Sequence, residues 1–247
     1  MNFLNGKYLS GMELSQVKEK TLNKEKVKSL FDEFSKDLNV TYDDLKIQSY
    51  SYDFVGTGNE IFIANTTKLF IENKFNIVVT EGIYEGEKVE VVLGDKVAKE
   101  NGEVLFKEYG FVDNDVVITE ETPYTNQLEK EVQDAIAEDK LLPDQTSYVP
   151  GTAAEKIQPK GLFDFCLPGG YKWCGKGCGY QTGGGKPING VDRCCRTHDN
   201  CYGAFKTNRC SKCDRPLIDC VLRQKGNNVA KSAIYSYFYG KCNLIIT

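Results

Sequence analysis

The alternation of hydrophobic and polar residues changes character twice along the chain. Between residues 12 and 38, Leu14, Val17, Leu22, Val27, Leu30, Phe31 and Phe34 recur at helical intervals with charges between them, which predicts an amphipathic helix. From Leu45 to about Ile118 the period drops to two. Runs at 46–55, 60–64, 75–84, 88–94 and 103–111 read as strands, with hairpin turns at Gly56-Thr57-Gly58-Asn59, Tyr84-Glu85-Gly86-Glu87 and Lys99-Glu100-Asn101-Gly102-Glu103. Asn126 to Lys140 reads as a short, acidic helix. Leu142 to Lys160 carries three prolines and little periodicity, so it reads as a linker.

Beyond the linker the period becomes helical again, with a different cargo. Cys194, His198, Cys201 and Tyr202 stand at i, i+4, i+7 and i+8, on one face of a helix. Cys195 and Asp199 form a second stripe beside it. Cys213 and Cys220 are also seven apart, so two antiparallel helices of matched spacing can be stapled at both ends, Cys194 to Cys220 and Cys201 to Cys213. Pro216 suits the first turn of such a second helix. The staples bring Asp214 up to His198, where a carboxylate can fix the imidazole's tautomer. A bond from Cys174 to Cys195 would draw the glycine-rich Trp173-Cys174-Gly175-Lys176-Gly177 over Asp199. Loop carbonyls with one carboxylate make the hard-oxygen cage that calcium prefers. For the remaining four cysteines the simplest pairing is Cys166 with Cys178 and Cys210 with Cys242.

Composition divides the 247 residues at the same place as periodicity. All 10 cysteines lie from Cys166 onward. Residues 1–160 hold 30 Asp and Glu against 18 Lys and Arg, a net charge of −12, while residues 161–247 hold 5 against 13, a net charge of +8. The expectation is an acidic N-terminal α+β domain over 1–141 (helix, then antiparallel hairpins), a linker over 142–160, and a small disulfide-rich, mainly α domain over 161–247. The two halves are expected to contact one another through their opposite charges, the acidic one restraining the basic one. So many cysteines imply an oxidising, extracellular setting, yet Met1 to Ser15 shows no apolar run of the secretory kind. Export by another route, or folding after release, would reconcile the two. No window is long and apolar enough for a membrane helix.

The C-terminal motifs resemble the secreted phospholipases A2. Leu167-Pro168-Gly169-Gly170-Tyr171-Lys172-Trp173-Cys174-Gly175 and Cys194-Cys195-Arg196-Thr197-His198-Asp199 look like the bee-venom branch. Asp192-Arg193-Cys194-Cys195 and the closing Tyr202 look like the pancreatic and snake-venom branch. The resemblance covers residues 163–242. It implies calcium-dependent cleavage of the sn-2 ester of glycerophospholipids, with His198 as general base, Asp214 as its orienting partner and Tyr202 bonded to Asp214. It further implies a calcium ion on Asp199 and the carbonyls of Trp173, Gly175 and Gly177, and the amide of Gly175 as an oxyanion donor. The expected partner is an anionic phospholipid surface and not a nucleic acid. A second tyrosine on Asp214 is expected from among Tyr235, Tyr237 and Tyr239.

Two other readings compete. A phospholipase-like binding module or toxin with weak catalysis would ordinarily lack the histidine or the following aspartate, and both are here. A zinc domain on Cys174-x3-Cys178 and Cys210-x2-Cys213 would need free thiolates, against the matched helix spacing. Asn189, three before Asp192, reads as helix capping. The first half holds no histidine, cysteine or phosphate motif, so it reads as an accessory or pro-domain.

Overall fold

A computed structural model describes the chain except residues 37, 58, 59, 153–165, 176, 180–183 and 245–247, and the side chains at 243 and 244. Seven strands form one antiparallel sheet in sequence order: β1 (Asn2–Tyr8), β2 (Lys46–Val55), β3 (Ile61–Ile71), β4 (Phe75–Tyr84), β5 (Glu87–Glu100), β6 (Glu103–Val112) and β7 (Asp115–Pro123). Between β1 and β2 come α1 (Gly11–Leu22) and α2 (Glu25–Ser35). After the sheet come α3 (Asn126–Glu138), α4 (Gly190–Ala204), α5 (Arg215–Leu222) and α6 (Val229–Leu244).

Several elements depart from the sequence expectations. The single helix over 12–38 is two helices, broken where Lys24 turns extended at φ −73° and ψ 132°. The break falls where the apolar stripe skips, from Leu22 to Val27. Only α2 keeps the i, i+3, i+4, i+7 spacing, and Val27, Leu30, Phe31 and Phe34 are all buried. Next, β1 and β7 occupy the two ends of the strand order, and neither shows the pattern of a half-buried strand. β7 is acidic and largely exposed, the composition that protects a sheet edge. Finally, β3 runs seven residues past Ala64, because its polar residues are satisfied inside. Thr66 Oγ1 bonds Tyr52 Oη at 3.0 Å and Thr80 Oγ1 at 2.7 Å, and Lys68 pairs with Asp139 at 2.8 Å. Two of the anticipated hairpin turns are present, with positive φ at Glu85-Gly86 and Asn101-Gly102, as two-residue primed turns require. The anticipated turn at 56–59 falls partly outside the described residues, and a turn the sequence reading did not name, at Asp113-Asn114, joins β6 to β7.

The sheet is covered on both faces. On one, α2 packs against Leu69, Phe75, Ile77, Val79 and Val92. On the other, α6 lays Ala230, Ala233, Ile234, Tyr237 and Phe238 over Phe54, Phe62, Tyr84, Val89 and Val91, within a single cluster that also takes in Cys194, Cys195, Leu217 and Val221. Polar groups register the contact. Thr80 and Ser232 hydroxyls meet at 2.7 Å, Asp139 accepts the first amide of α6 (Val229) at 2.8 Å, and Glu108 of β6 receives Lys225 at 2.8 Å and Lys231 at 3.2 Å. The described part of the expected linker, 142–152, lies against the sheet. Tyr148 Oη and the Gly151 amide both donate to Asp53 Oδ1, at 2.7 and 2.8 Å, and Leu142 and Tyr148 are buried. Residues 153–160, the rest of that linker, fall outside the described residues.

Gly56, at the end of β2, sits under α6 so tightly that an added Cβ would lie 2.0 Å from Tyr237 Oη. Tyr237 is fully buried and cannot swing away. Gly56→Ala is therefore expected to lower stability by about 1–3 kcal/mol, the usual cost of overpacking. Thermal or denaturant unfolding of the oxidised protein measures it; an unchanged midpoint would mean the α6–sheet contact is loose.

Candidate functional site

The site is built on α4. Its N-cap, Asn189, takes the Asp192 amide on Oδ1 at 2.8 Å, as the sequence suggested. Asp192 has a second task that sequence reading missed. Its buried carboxylate gathers the amides of Trp173 (2.8 Å), Cys174 (3.1 Å), Lys172 (3.1 Å) and Ile188 (3.1 Å). One charge thus collects successive backbone donors and fixes where the loop begins. An aspartate next to a cap position is read as part of the cap, which hid this role.

Five disulfides secure the helices: Cys166–Cys178, Cys174–Cys195, Cys194–Cys220, Cys201–Cys213 and Cys210–Cys242. All ten cysteines are thereby used and none is free, which overturns the zinc reading. Cys201–Cys213 and Cys194–Cys220 bracket His198, and the two-turn spacing carries Asp214 to it. A π-helical turn, Cys210–Asp214, precedes α5, and Pro216 falls in the first turn of that helix, where its missing amide costs nothing.

His198 Nε2 lies 2.7 Å from Asp214 Oδ1, and Tyr202 Oη donates to the same oxygen at 2.7 Å. An ionised carboxylate can only accept, so Nε2 carries the proton and Nδ1 the lone pair. Nδ1 is buried and has no hydrogen-bond partner among the described residues. Tyr202 and Phe238 flank the ring at 4.2 and 5.0 Å between centroids. Burial lowers the imidazole's pKa, and the Asp214 hydrogen bond only partly offsets it. At Asp214 burial works upward, but the hydrogen bonds from His198 and Tyr202, with Lys241 nearby, hold the carboxyl below the usual range.

Asp199 projects from the neighbouring stripe into the glycine-rich loop. Gly175, Gly177 and Gly179 all have positive φ, at 144°, 78° and 79°. A Cβ on Gly179 would stand 3.1 Å from Asp199 Oδ2, so the loop's backbone passes directly against the carboxylate. Burial pushes the Asp199 carboxyl up to about 7. A cation beside it would reverse that shift. No group of three or more His, Cys, Asp or Glu side chains is set to hold a metal among the described residues. The oxygens here are one carboxylate and the backbone of a loop, a set suited to a hard cation. Residues 180–183 of the loop lie outside the described residues.

The second partner of Asp214 is not a tyrosine. Tyr237 Oη donates to Glu60 at 3.0 Å and accepts the Thr57 amide at 3.1 Å, and Tyr235 stacks on Tyr239. The place goes to Lys241, whose Nζ lies 3.4 Å from Asp214 Oδ2 and 2.8 Å from Tyr202 Oη. A basic residue near the end of the chain carried no spacing signal of its own.

No family model matches the chain, and no solved structure matches it. Curated proteins do. A phospholipase A2 of Scolopendra dehaani, SSD387, is 36% identical over 84 residues, 30% of this chain and 56% of that protein. The basic phospholipase A2 beta-bungarotoxin A2 chain of Bungarus flaviceps flaviceps is 34% identical over 86 residues, again 30% of this chain and 59% of that one. A phospholipase A2 of Oryctolagus cuniculus is 40% identical over 72 residues, 25% and 50% of the two. The chain thus spans little more than half the length of the relatives it matches, and about 30% of it is similar to phospholipases A2.

Proposed function

We propose that residues 161–247 form a calcium-dependent phospholipase A2 unit that cleaves the sn-2 ester of glycerophospholipids at an anionic membrane surface outside the cytosol, with residues 1–141 as an acidic accessory domain in contact with it. One observation carries the reading. The only histidine in the chain holds its protonated nitrogen on a buried carboxylate and leaves the other nitrogen as a base with no hydrogen-bond partner among the described residues.

In this mechanism Nδ1 of His198 takes a proton from water as the oxygen attacks the ester carbonyl. Asp214 balances the imidazolium that forms and keeps Nε2 from turning away, and Tyr202 steadies Asp214. The Gly175 amide serves as a donor to the oxyanion. Collapse returns the proton from Nδ1 to the departing glycerol oxygen, giving a fatty acid and a lysophospholipid. The Asp199 carboxylate with the carbonyls of Trp173, Gly175 and Gly177 would hold calcium. When bound, it supplies Lewis acidity at the carbonyl and charge for the phosphate. The disulfides fit an oxidising compartment, and the excess of basic residues in 161–247 fits an anionic surface at roughly 1 kcal/mol for each basic group near it.

Three experiments follow from these roles. Release of fatty acid from phosphatidylglycerol vesicles with calcium tests the activity itself. His198→Gln should cut kcat by about 10²–10⁴-fold with the disulfides intact; a variant retaining most of its activity would show that the base lies elsewhere, and a wild-type protein without activity favours the binding-module reading.

Asp199→Asn should abolish calcium binding in calorimetry. In the wild type, binding should strengthen as pH rises through about 7, because the ion must displace the proton that burial retains on Asp199. Affinity independent of pH between 6 and 8 (a span of roughly one unit either side) would count against this carboxylate.

The third concerns the base. A buried imidazole resists protonation, so the acid limb of kcat/KM at saturating calcium should lie below the ordinary histidine value of 6.5. A limb above that value would mean that the ring is wetter or more strongly paired than the geometry allows.

A further inference from the structure

Asp214 is fully buried, and its two oxygens are used unequally. Oδ1 receives both His198 and Tyr202. Oδ2 is buried and has no hydrogen-bond donor among the described residues; what faces it is the Lys241 ammonium at 3.4 Å, in ion-pair range. A carboxylate anchored through one oxygen pivots about it, and a buried one also needs a compensating charge. Lys241 meets both needs. Its three N–H donors have three oxygens to face: Tyr202 Oη at 2.8 Å, Thr57 Oγ1 at 3.0 Å and Asp214 Oδ2. Tyr202 Oη accepts from Lys241 while donating to Asp214, so a fixed ammonium also fixes the hydroxyl.

The placement is anchored on both sides. Cys242, next in the chain, is bonded to Cys210, at the start of the turn that ends in Asp214. Thr57 is held in turn, its amide on Tyr237 Oη and the same Oη on Glu60. The lysine's stem passes the Tyr202 and Phe238 rings, with Nζ 5.4 and 5.5 Å from their centroids. Its side chain is 14% exposed, little enough for the charge to act through a weakly screening medium.

We infer that Lys241 is a positioning residue of the hydrolytic centre: it locks the Asp214 carboxylate and the Tyr202 hydroxyl against His198, and Thr57 from the β2–β3 connection locks Lys241. The sheet half of the chain therefore completes the catalytic assembly instead of only resting on it. The inference deepens the phospholipase reading and its kinetic arm rests on it; its spectroscopic arm does not.

The test uses the full-length, oxidised protein and three variants: Lys241→Met, which keeps the stem and removes the charge, Lys241→Arg, which restores a cation, and Thr57→Val, which removes one hydroxyl. With a single histidine, the Nε2 proton gives one imidazole resonance in nitrogen-edited NMR, shifted downfield by the Asp214 hydrogen bond. For Lys241→Met we expect that resonance to move upfield or exchange away, and kcat on phosphatidylglycerol vesicles at saturating calcium to fall about 10- to 100-fold, the worth of a charge-assisted hydrogen bond, with KM within about twofold. Lys241→Arg should recover most of the loss. Lys241→Met with all disulfides formed, an unmoved resonance and kcat within about twofold of wild type would overturn the inference. So would a drop in kcat that Arg fails to repair while the resonance stays in place, since that is the signature of a merely structural lysine. If Lys241→Met does not fold, Thr57→Val carries the same two readouts, and its having no effect on either overturns the inference. A wild-type protein that releases no fatty acid would refute the phospholipase reading alone, and the resonance would still decide the role of Lys241.

Discussion

The near-complete burial of α6, along which Tyr239 alone is exposed among the described side chains, is the constraint on which the rest of the structure depends. A helix that buries nearly all of its surface is stable only when neighbouring elements cover its apolar groups and pair its polar ones. Here the sheet covers one side, through Phe54, Phe62, Tyr84, Val89 and Val91, and the disulfide-bonded helices cover the other, through Leu217, Val221 and Cys194. Neither half closes the cluster alone. The polar pairs around it, Thr80 with Ser232, Asp139 with the Val229 amide and Glu108 with Lys231, set the helix's rotation and height. They are specific because a buried polar group left without its partner is costly. The position of Lys241 beside Asp214 follows from that rotation.

What could be read from the sequence depended on how local the cause was. Cys194, His198, Cys201 and Tyr202 declare a helical face by spacing alone, and the matched gap between Cys213 and Cys220 declares its partner. The His198–Asp214 contact was legible for that reason, and so was the placement of Asp199 against the glycine loop, whereas the bond from Tyr202 to Asp214 was implied by the family resemblance and not by spacing. Covalent anchors at fixed intervals leave few ways to fold. The stripe Val27, Leu30, Phe31 and Phe34 was equally plain. What stayed hidden has non-local causes. β1 and β7 owe their strand state to neighbours in the sheet, not to their own pattern. The far end of β3 is polar and buried, a combination that local reading takes for a turn or a loop. α6 buries Lys231, Ser232 and Ser236 along with its apolar residues, so no solvated polar stripe gives it a helical signature, and Lys241 acquires its meaning only from residues 57, 202 and 214. Asp192 was seen as a cap because its amide bond to Asn189 is local, while its grip on the 172–174 loop is not.

Charge divides the chain into an acidic and a basic half, yet among the described residues the contacts between them combine the apolar packing of α6 with hydrogen bonds such as Thr80–Ser232 and Tyr171–Glu138 as well as ion pairs. Glu108 with Lys225 and Lys231 lies at the margin of the α6 cluster, and Glu60 reaches the other half through the neutral Tyr237 hydroxyl. Close fit at glycines such as Gly56 and Gly240, where an added Cβ would come within 2.0 Å of Tyr237 and 2.8 Å of Val89, decides how they lock.

The strand order of the sheet has a consequence for the order of events after synthesis. From β2 to β7 every strand pairs with its neighbour in sequence, so loops are short and closure is cheap. Contacts of this kind form early. α6 contributes its side chains from the far end of the chain and finds its seat only on a finished sheet. The Cys210–Cys242 bond lies beside that seat, spanning 32 residues. Docking of α6 on that template sets Cys242 beside Cys210, so the geometry of this crosslink depends on side chains more than a hundred residues earlier in the sequence.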